Sequence, residues 1–341
     1  MQCESCLVEE KGYSVYFDKR SEAAFLDKYV ANYPASQQVK INDQFYWLHE
    51  KLFYNMLDYA LAHLNVGGIK AVEAKREAAS AAIDRLRPIE QFQQERDAHW
   101  IDDVIRKPSI QTYYQPIVAM KGSDVEPIGF ELLSRGLSAD GKMISPYDMF
   151  EAAKQRNRLF ALDRACRLEA VRNAGQVKGK MAFINFLPTS IYNPQHCLQS
   201  TVKLVEEIGI SPESIVFEVV ESAEVKNLEH LKSILNYYRE YGFRYALDDV
   251  GTGFNSVEVL AELEPDVVKL AMEFVQGVSN DPAKRKVAME VAKIAGDKGA
   301  KLLAEGIESR DDMESLKELG YEWFQGYYFG KPTAQPQLVG F

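Results

Sequence analysis

Three features predict an α/β protein built on a TIM-like (β/α)8 barrel with one antiparallel strand, preceded by a mainly helical N-terminal region. From about residue 108 short apolar runs alternate with amphipathic segments, the first two runs are joined by a turn too short for a helix, and nearly every run closes on a polar residue. Repeated strand–helix units close naturally into a barrel, and the working face of such a barrel is the carboxyl end of its strands.

Residues 1–95 read as a helical regulatory or dimerisation region with a helical connector, and residues 96–341 as the barrel. Phe45, Leu48, Leu52, Phe53, Met56, Leu57, Ala60, Leu61 and Leu64 recur at helical spacing, with Gly67-Gly68 as the stop. The stretch from Ile69 to Arg87 is rich in Ala, Glu, Lys and Arg, as in an exposed connecting helix. Trp100, Ile101, Val104 and Ile105 mark one more amphipathic helix.

The first barrel strands are Thr112–Val118 and Ile128–Ser134, antiparallel because the turn Lys121-Gly-Ser-Asp124 cannot carry a crossover. Met181–Phe186, Ser214–Val219, Arg244–Asp248, Asp266–Leu270, Lys301–Glu305 and the run around Phe324–Phe329 complete a set of eight. Ser145-Pro146 and Asp281-Pro282 announce helix starts; Gly175, Gly209, Gly242 and Gly320 announce stops.

A net charge of −10 argues against broad binding to DNA or RNA polymers, which requires an excess of basic residues. No apolar run is long enough for a membrane segment and the first residues are unlike a signal peptide, so a cytoplasmic location is expected. The four cysteines, Cys3, Cys6, Cys166 and Cys197, are too scattered for a disulfide scaffold. Cys3 and Cys6 have the spacing of half a zinc site, which His49 and His63 would complete if the N-terminal region folds back; two ordinary thiols are the simpler reading.

The strand ends carry Glu131, Asn185, Glu218, Asp248 with Asp249, Lys269, Glu305 and Gln325. So many carboxylates on one rim repel one another unless cations hold them, and oxygen ligands suit Mg²⁺ or Mn²⁺ better than zinc. Asp248 and Asp249 suit one ion each or a bridged pair; two ions about 3.5–4 Å apart are the usual arrangement for in-line attack of water on a phosphodiester. Gly251-Thr252-Gly253 supplies a loop able to turn tightly.

Tyr114-Gln-Pro-Ile117, Glu131-Leu-Leu-Ser-Arg135, Asn185, Glu218-Val-Val-Glu221, Asp248-Asp-Val-Gly-Thr-Gly253, Lys269, Ala304-Glu-Gly-Ile-Glu308 and Gln325-Gly-Tyr327 together resemble the EAL-domain family, which hydrolyses the bacterial second messenger cyclic di-GMP. The resemblance runs from about residue 100 to the end of the chain. It implies that Glu131, Asn185, Glu218 and Asp248 ligate one metal and Asp248 and Asp249 serve a second. It also implies that Glu305 completes the second site or acts as general base and that Lys269 orients the water. Gln115, Leu133, Arg135 and Gln325 are implied as dinucleotide contacts. Glu308 and Thr252 are implied as supporting residues, with Glu221 bracing the loop that couples metal binding to a homodimer interface. The implied product is linear pGpG, and the implied cofactors are two Mg²⁺ or Mn²⁺ ions.

The sequence departs from the family pattern at Leu132, Val220, Val250 and Ala271. Ala271 stands in place of an acid two residues after Lys269, which keeps open an alternative: a barrel that captures cyclic di-GMP without cleaving it and signals through the N-terminal region to an unidentified partner. Metal-assisted enolisation also fits an acidic rim with a lysine, but leaves the paired aspartates and Arg135 without a role. Phe254, Val257, Val259 and Leu260 offer apolar surface for a homodimer, though core packing explains them as well.

Overall fold

A computed structural model describes residues 11–81, 83–121, 124–177, 179–191, 193–219, 228–251, 260 and 262–337. They fall into two compact units, one of residues up to 106 together with 150–158, the other of residues 107–149 and 159 onward. Cys3, Cys6, Glu221, Thr252, Val220, Phe254, Val257 and Val259 lie outside the described residues.

The first unit corrects the helical expectation. Its centre is a five-stranded antiparallel sheet in the order β2-β3-β1-β4-β5, formed by β1 (Gly12–Phe17), β2 (Gln38–Asn42), β3 (Phe45–His49), β4 (Ile69–Glu73) and β5 (Arg87–Pro88). Helices Arg20–Val30 and Glu50–His63 share its core, where Tyr13, Val15, Phe17, Leu26, Phe53 and Leu57 are buried together. The helical pattern is real from Glu50, but Phe45-Tyr-Trp-Leu48 is buried on both faces, so it carries no alternation to separate strand from helix. Aromatic residues favour the pleated strand, and β1 pairs with β3 and β4 across 30–60 residues of sequence, a term local spacing does not contain. Ile69–Glu73, expected in a connecting helix, is the strand that covers the other edge of β1. Trp100–Arg106 is helical as expected.

The second unit is the barrel. Its strands are β6 (Ile110–Lys121), β7 (Asp124–Leu137), β9 (Met181–Phe186), β10 (Ile215–Val219), β11 (Arg244–Val250), β12 (Val267–Leu270), β13 (Lys301–Ala304) and β14 (Trp323–Gln325), while β8 (Met143–Ile144) extends β7 as a hairpin. Pairing of β6 with both β14 and β7 closes the ring; both contacts are antiparallel, and β7 and β9 through β14 run parallel. The first strand is therefore the reversed one, as the short turn predicts.

Inside the ring Ile117, Phe183, Val216, Ala246, Val267 and Leu303 form an apolar plug. Outside it the aliphatic and aromatic faces of the helices make the larger core, including Phe186, Phe217, Tyr238 and Leu316. No helix among the described residues is long and apolar enough to cross a membrane.

Candidate active site

Side chains alternate along a strand, so the residue two places on from a plug residue also faces the barrel axis, one layer nearer the carboxyl rim. Stepping by two from Phe183, Val216, Ala246, Val267 and Leu303 gives Asn185, Glu218, Asp248, Lys269 and Glu305. From Gly129 and Trp323 the step gives Glu131 and Gln325. One layer of hydrocarbon thus carries one layer of charge, and the alternation places every member of the charged layer.

The paired aspartates need a further device, since consecutive residues of a regular strand point to opposite faces. The β11–β12 register shifts between Leu247 and Val250, and Asp249 has a left-handed backbone (φ 50°). Asp248 Oδ1 accepts a hydrogen bond from the Asp249 amide at 3.1 Å. The irregularity turns both carboxylates toward the same rim. Gly251 continues the turn with φ 107°, and a side chain there would meet the ring of Phe274.

Two groups of carboxylates result. Glu131, Glu218 and Glu305 each bring an oxygen within 4.8 Å of the others, and so do Asp248, Asp249 and Glu305. Glu305 belongs to both groups, whereas the family resemblance gives it to the second alone. Asn185 donates to Glu131 Oε1 at 2.7 Å and Gln325 donates to Glu131 Oε2 at 2.6 Å.

Lys269 stands among these acids, buried, with Nζ 2.5 Å from Glu218 Oε1, 2.9 Å from Asp248 Oδ1 and paired with Glu305. Burial opposes its charge, but Asp248, Glu218, Glu305 and Glu131 hold it protonated far above the ordinary lysine range. Burial pushes Glu218 well above the carboxylate range; the field of Lys269 opposes this and is outweighed with Glu131, Asp248 and Glu305 adding to the burial. Glu305 is raised in the same direction by burial and by Asp248. Glu131 goes the other way: its burial is overcome by Lys269 and by the bonds from Gln325 and Asn185. Ala271 is buried at the start of the short helix Met272–Val275, and Lys269 has its three acidic partners without a carboxylate there.

The donor set fits divalent cations. Glu218 is fully buried, its Oε2 has no hydrogen-bond partner among the described residues, and one lysine does not neutralise four neighbouring acids. All the oxygen donors are of the hard type that Mg²⁺ and Mn²⁺ select.

Above the charged layer opens a cavity of about 520 Å³ lined by Gln115, Glu131, Asp249, Met272, Gln276, Glu305, Gly306, Glu308, Gln325, Gly326 and Tyr327. Gln115 and Gln325, expected to touch a ligand, and Glu308, expected in support, therefore share it. Leu133 and Arg135 do not line it. Both stand farther along β7 on the face of Glu131, half-buried, the Arg135 guanidinium donating to the Ser134 carbonyl at 2.8 Å and lying 5.6 Å from the Tyr113 ring centre. Met272, Gln276 and Tyr327 are lining residues that strand-end reading passes over. Met272 and Gln276 directly follow β12, and Tyr327 follows β14, so the rule that loops after barrel strands build the site points to them.

Fold and site thus define an α/β barrel with an acidic rim under an open cleft. An EAL-domain profile matches residues 98–332, and the chain belongs to the EAL domain family. Among curated proteins it is similar to the "Probable cyclic di-GMP phosphodiesterase PdeG" of Escherichia coli (strain K12), 28% identical over 240 residues, covering 69% of this chain and 47% of that protein. The chain thus spans about half the length of that relative. Among solved structures it resembles a standalone versatile EAL protein from Vibrio cholerae O395 in its c-di-GMP bound form, with 30% identity and a TM-score of 0.60 over 67% of this chain and 95% of that one. It also resembles the Bacillus subtilis YkuI protein, with an EAL domain, in complex with substrate c-di-GMP and calcium. That likeness has 26% identity and a TM-score of 0.55, over 70% of this chain and 59% of that one.

Proposed function

We propose that the barrel is a metal-dependent phosphodiesterase that opens cyclic di-GMP to linear pGpG by one hydrolysis. The observation that carries the reading is the pair of carboxylate groups sharing Glu305 at the floor of a cleft large enough for a nucleotide. The curated and structural relatives support it by what their names say they bind or cleave.

On this reading Glu131, Asn185, Glu218 and Glu305 hold one Mg²⁺ or Mn²⁺ and Asp248, Asp249 and Glu305 hold another. When bound, such ions lower the pKa of water and neutralise charge on the phosphate. Lys269 keeps its proton and fixes Glu218, Asp248 and Glu305 relative to one another. Glu305, partly open to the cleft, also takes the proton of the attacking water. Gln115 and Gln325 orient the dinucleotide, and Arg135 draws its phosphate toward the rim. The reading extends to a homodimer, a cytoplasmic setting and control of turnover by the N-terminal unit.

The test is incubation of the full chain with cyclic di-GMP and Mg²⁺ or Mn²⁺, beside an Asp248→Asn control, with the nucleotides separated by chromatography. Release of pGpG that the control abolishes is expected. Binding without cleavage in either metal establishes the receptor alternative, for which the missing acid at Ala271 speaks.

A further inference from the structure

The helix Leu159–Asn173 carries a buried ion pair, Asp163 with Arg167 at 2.7 Å, both nearly closed to solvent. An ion pair one helical turn apart on a surface contributes little, and burying one costs desolvation, so the remaining bonds of this pair decide what it does. Asp163 Oδ1 accepts from the backbone amide of Leu187 at 2.8 Å, and Oδ2 accepts from the Ser190 hydroxyl at 2.8 Å. The Arg167 Nε donates to Thr201 Oγ1 at 3.3 Å on the next helix, Gln199–Ile208.

Leu187 is the first residue after β9 and lies two places from Asn185. The amide nitrogen of Asn185 is committed to Glu131 Oε1, so its carbonyl oxygen is what Asn185 offers a cation. Turned the other way, the same side chain would aim N–H groups at the ion. Asn185 therefore works only if the exit of its strand is held, and Asp163 is a charged side chain bonded to that exit, at Leu187 and Ser190.

We infer that Asp163 is a positioning residue for the cation site, acting through the Leu187 amide and Ser190 on Asn185 and Glu131. The inference rests on the metal-dependent reading above. It is specific to the Asn185 limb: the Asp248–Asp249 limb, on β11, is held by its own bulge.

The experiment measures Mn²⁺ affinity in the full chain by the electron paramagnetic resonance of free Mn²⁺, with circular dichroism as the check on folding. The variants are Asp163→Asn, Ser190→Ala, Asn185→Ala and the double variant Asp163→Asn with Asn185→Ala. Asp163→Asn is expected to weaken, by about ten-fold or more, the Mn²⁺ site that Asn185→Ala also weakens, in the range for residues that orient metal ligands. The double variant should be no weaker than Asn185→Ala alone, since both changes strike one limb. A folded Asp163→Asn with unchanged Mn²⁺ affinity, or losses that multiply in the double variant, overturns the inference. If Asp163→Asn fails to fold, Ser190→Ala decides in the same way, because it removes one partner of Asp163 and leaves the ion pair. Absence of Mn²⁺ binding in the unaltered chain overturns the metal-dependent reading itself, and the positioning role with it.

Discussion

Lys269 Nζ and Glu218 Oε1 lie 2.5 Å apart with both side chains closed to solvent. The contact sets a buried cation against an acid that is also crowded by Glu131, Asp248 and Glu305. Removing one member of a buried pair leaves the other without compensation, at about 3–5 kcal/mol. Lys269→Met is therefore expected to lower stability by about that amount in EDTA, and by clearly less with Mn²⁺, which neutralises the same acids. Urea unfolding in the two conditions measures this; equal losses in both would separate Lys269 from the cation site.

Asp248→Asn keeps the shape of a side chain that stands beside Lys269 and in the second carboxylate group, and removes its charge. Turnover of cyclic di-GMP is expected to fall by about a hundred-fold or more, since charge stabilisation by a bound ion is worth several kcal/mol. The fall should appear in kcat rather than KM, because the cleft residues Gln115 and Gln325 are untouched.

Asp312 gives a pH dependence with a definite sign. It is buried near the start of the helix Arg310–Glu318, accepts from Ser309 Oγ at 2.7 Å, and takes the backbone amides of Gly277 at 3.1 Å and Ser279 at 3.0 Å. Burial alone would raise its carboxyl, but the amides and hydroxyls outweigh burial and hold it below the ordinary aspartate value. Its stabilisation is thus complete above the unfolded value of about 3.9 and is lost as pH falls through the lower folded value. Asp312→Asn should cost about 1–3 kcal/mol at pH 7 and progressively less below pH 4. Unfolding midpoints from pH 7 to 2.5 check it, and a gap that widens in acid contradicts it.

In the first unit Arg156 is fully buried, with Nη2 2.7 Å from Glu50 and 2.5 Å from Asp102, and Nη1 2.7 Å from the Tyr54 hydroxyl. Arg156→Met leaves two buried acids facing each other and should destabilise that unit by about 3–5 kcal/mol. A chain beginning at residue 96 lacks Glu50 and Tyr54, so Arg156 loses two of these three partners and keeps Asp102. Hydrogen exchange of residues 150–158, fast in both variants and slow in the full chain, is the expected result.

Gly326 shows how closely two loops of the site approach: a side chain there would run into the backbone of Ile307, whose amide donates to the Gln325 carbonyl at 3.0 Å. Gly326→Ala should cost about 1–3 kcal/mol through overpacking and loosen the bond from Gln325 to Glu131. Weaker Mn²⁺ binding in a folded variant is the measurement that checks it.

The barrel was legible because its signals are local. Arg244–Asp248 and Lys301–Glu305 are short apolar runs ended by acids, the Lys121–Asp124 turn dictates the antiparallel start, and the period of two places each polar residue above the plug. The N-terminal sheet was not legible. Phe45-Tyr-Trp-Leu48 and Ile69–Glu73 become strands because β1 lies between them, and a pairing partner 30–60 residues away leaves no trace in local spacing.

The sequence by itself determined the fold class of residues 98–332, the family, and which side chains form the charged layer, since strand alternation and residue type suffice for these. Tertiary structure decided what those side chains share: Glu305 serving two carboxylate groups, Lys269 held without an acid at Ala271, Asp163 reaching the exit of β9, and Arg156 joining the N-terminal core. Each of these is a contact between chain segments whose distance is set by barrel closure or sheet packing, and a linear pattern does not carry that distance.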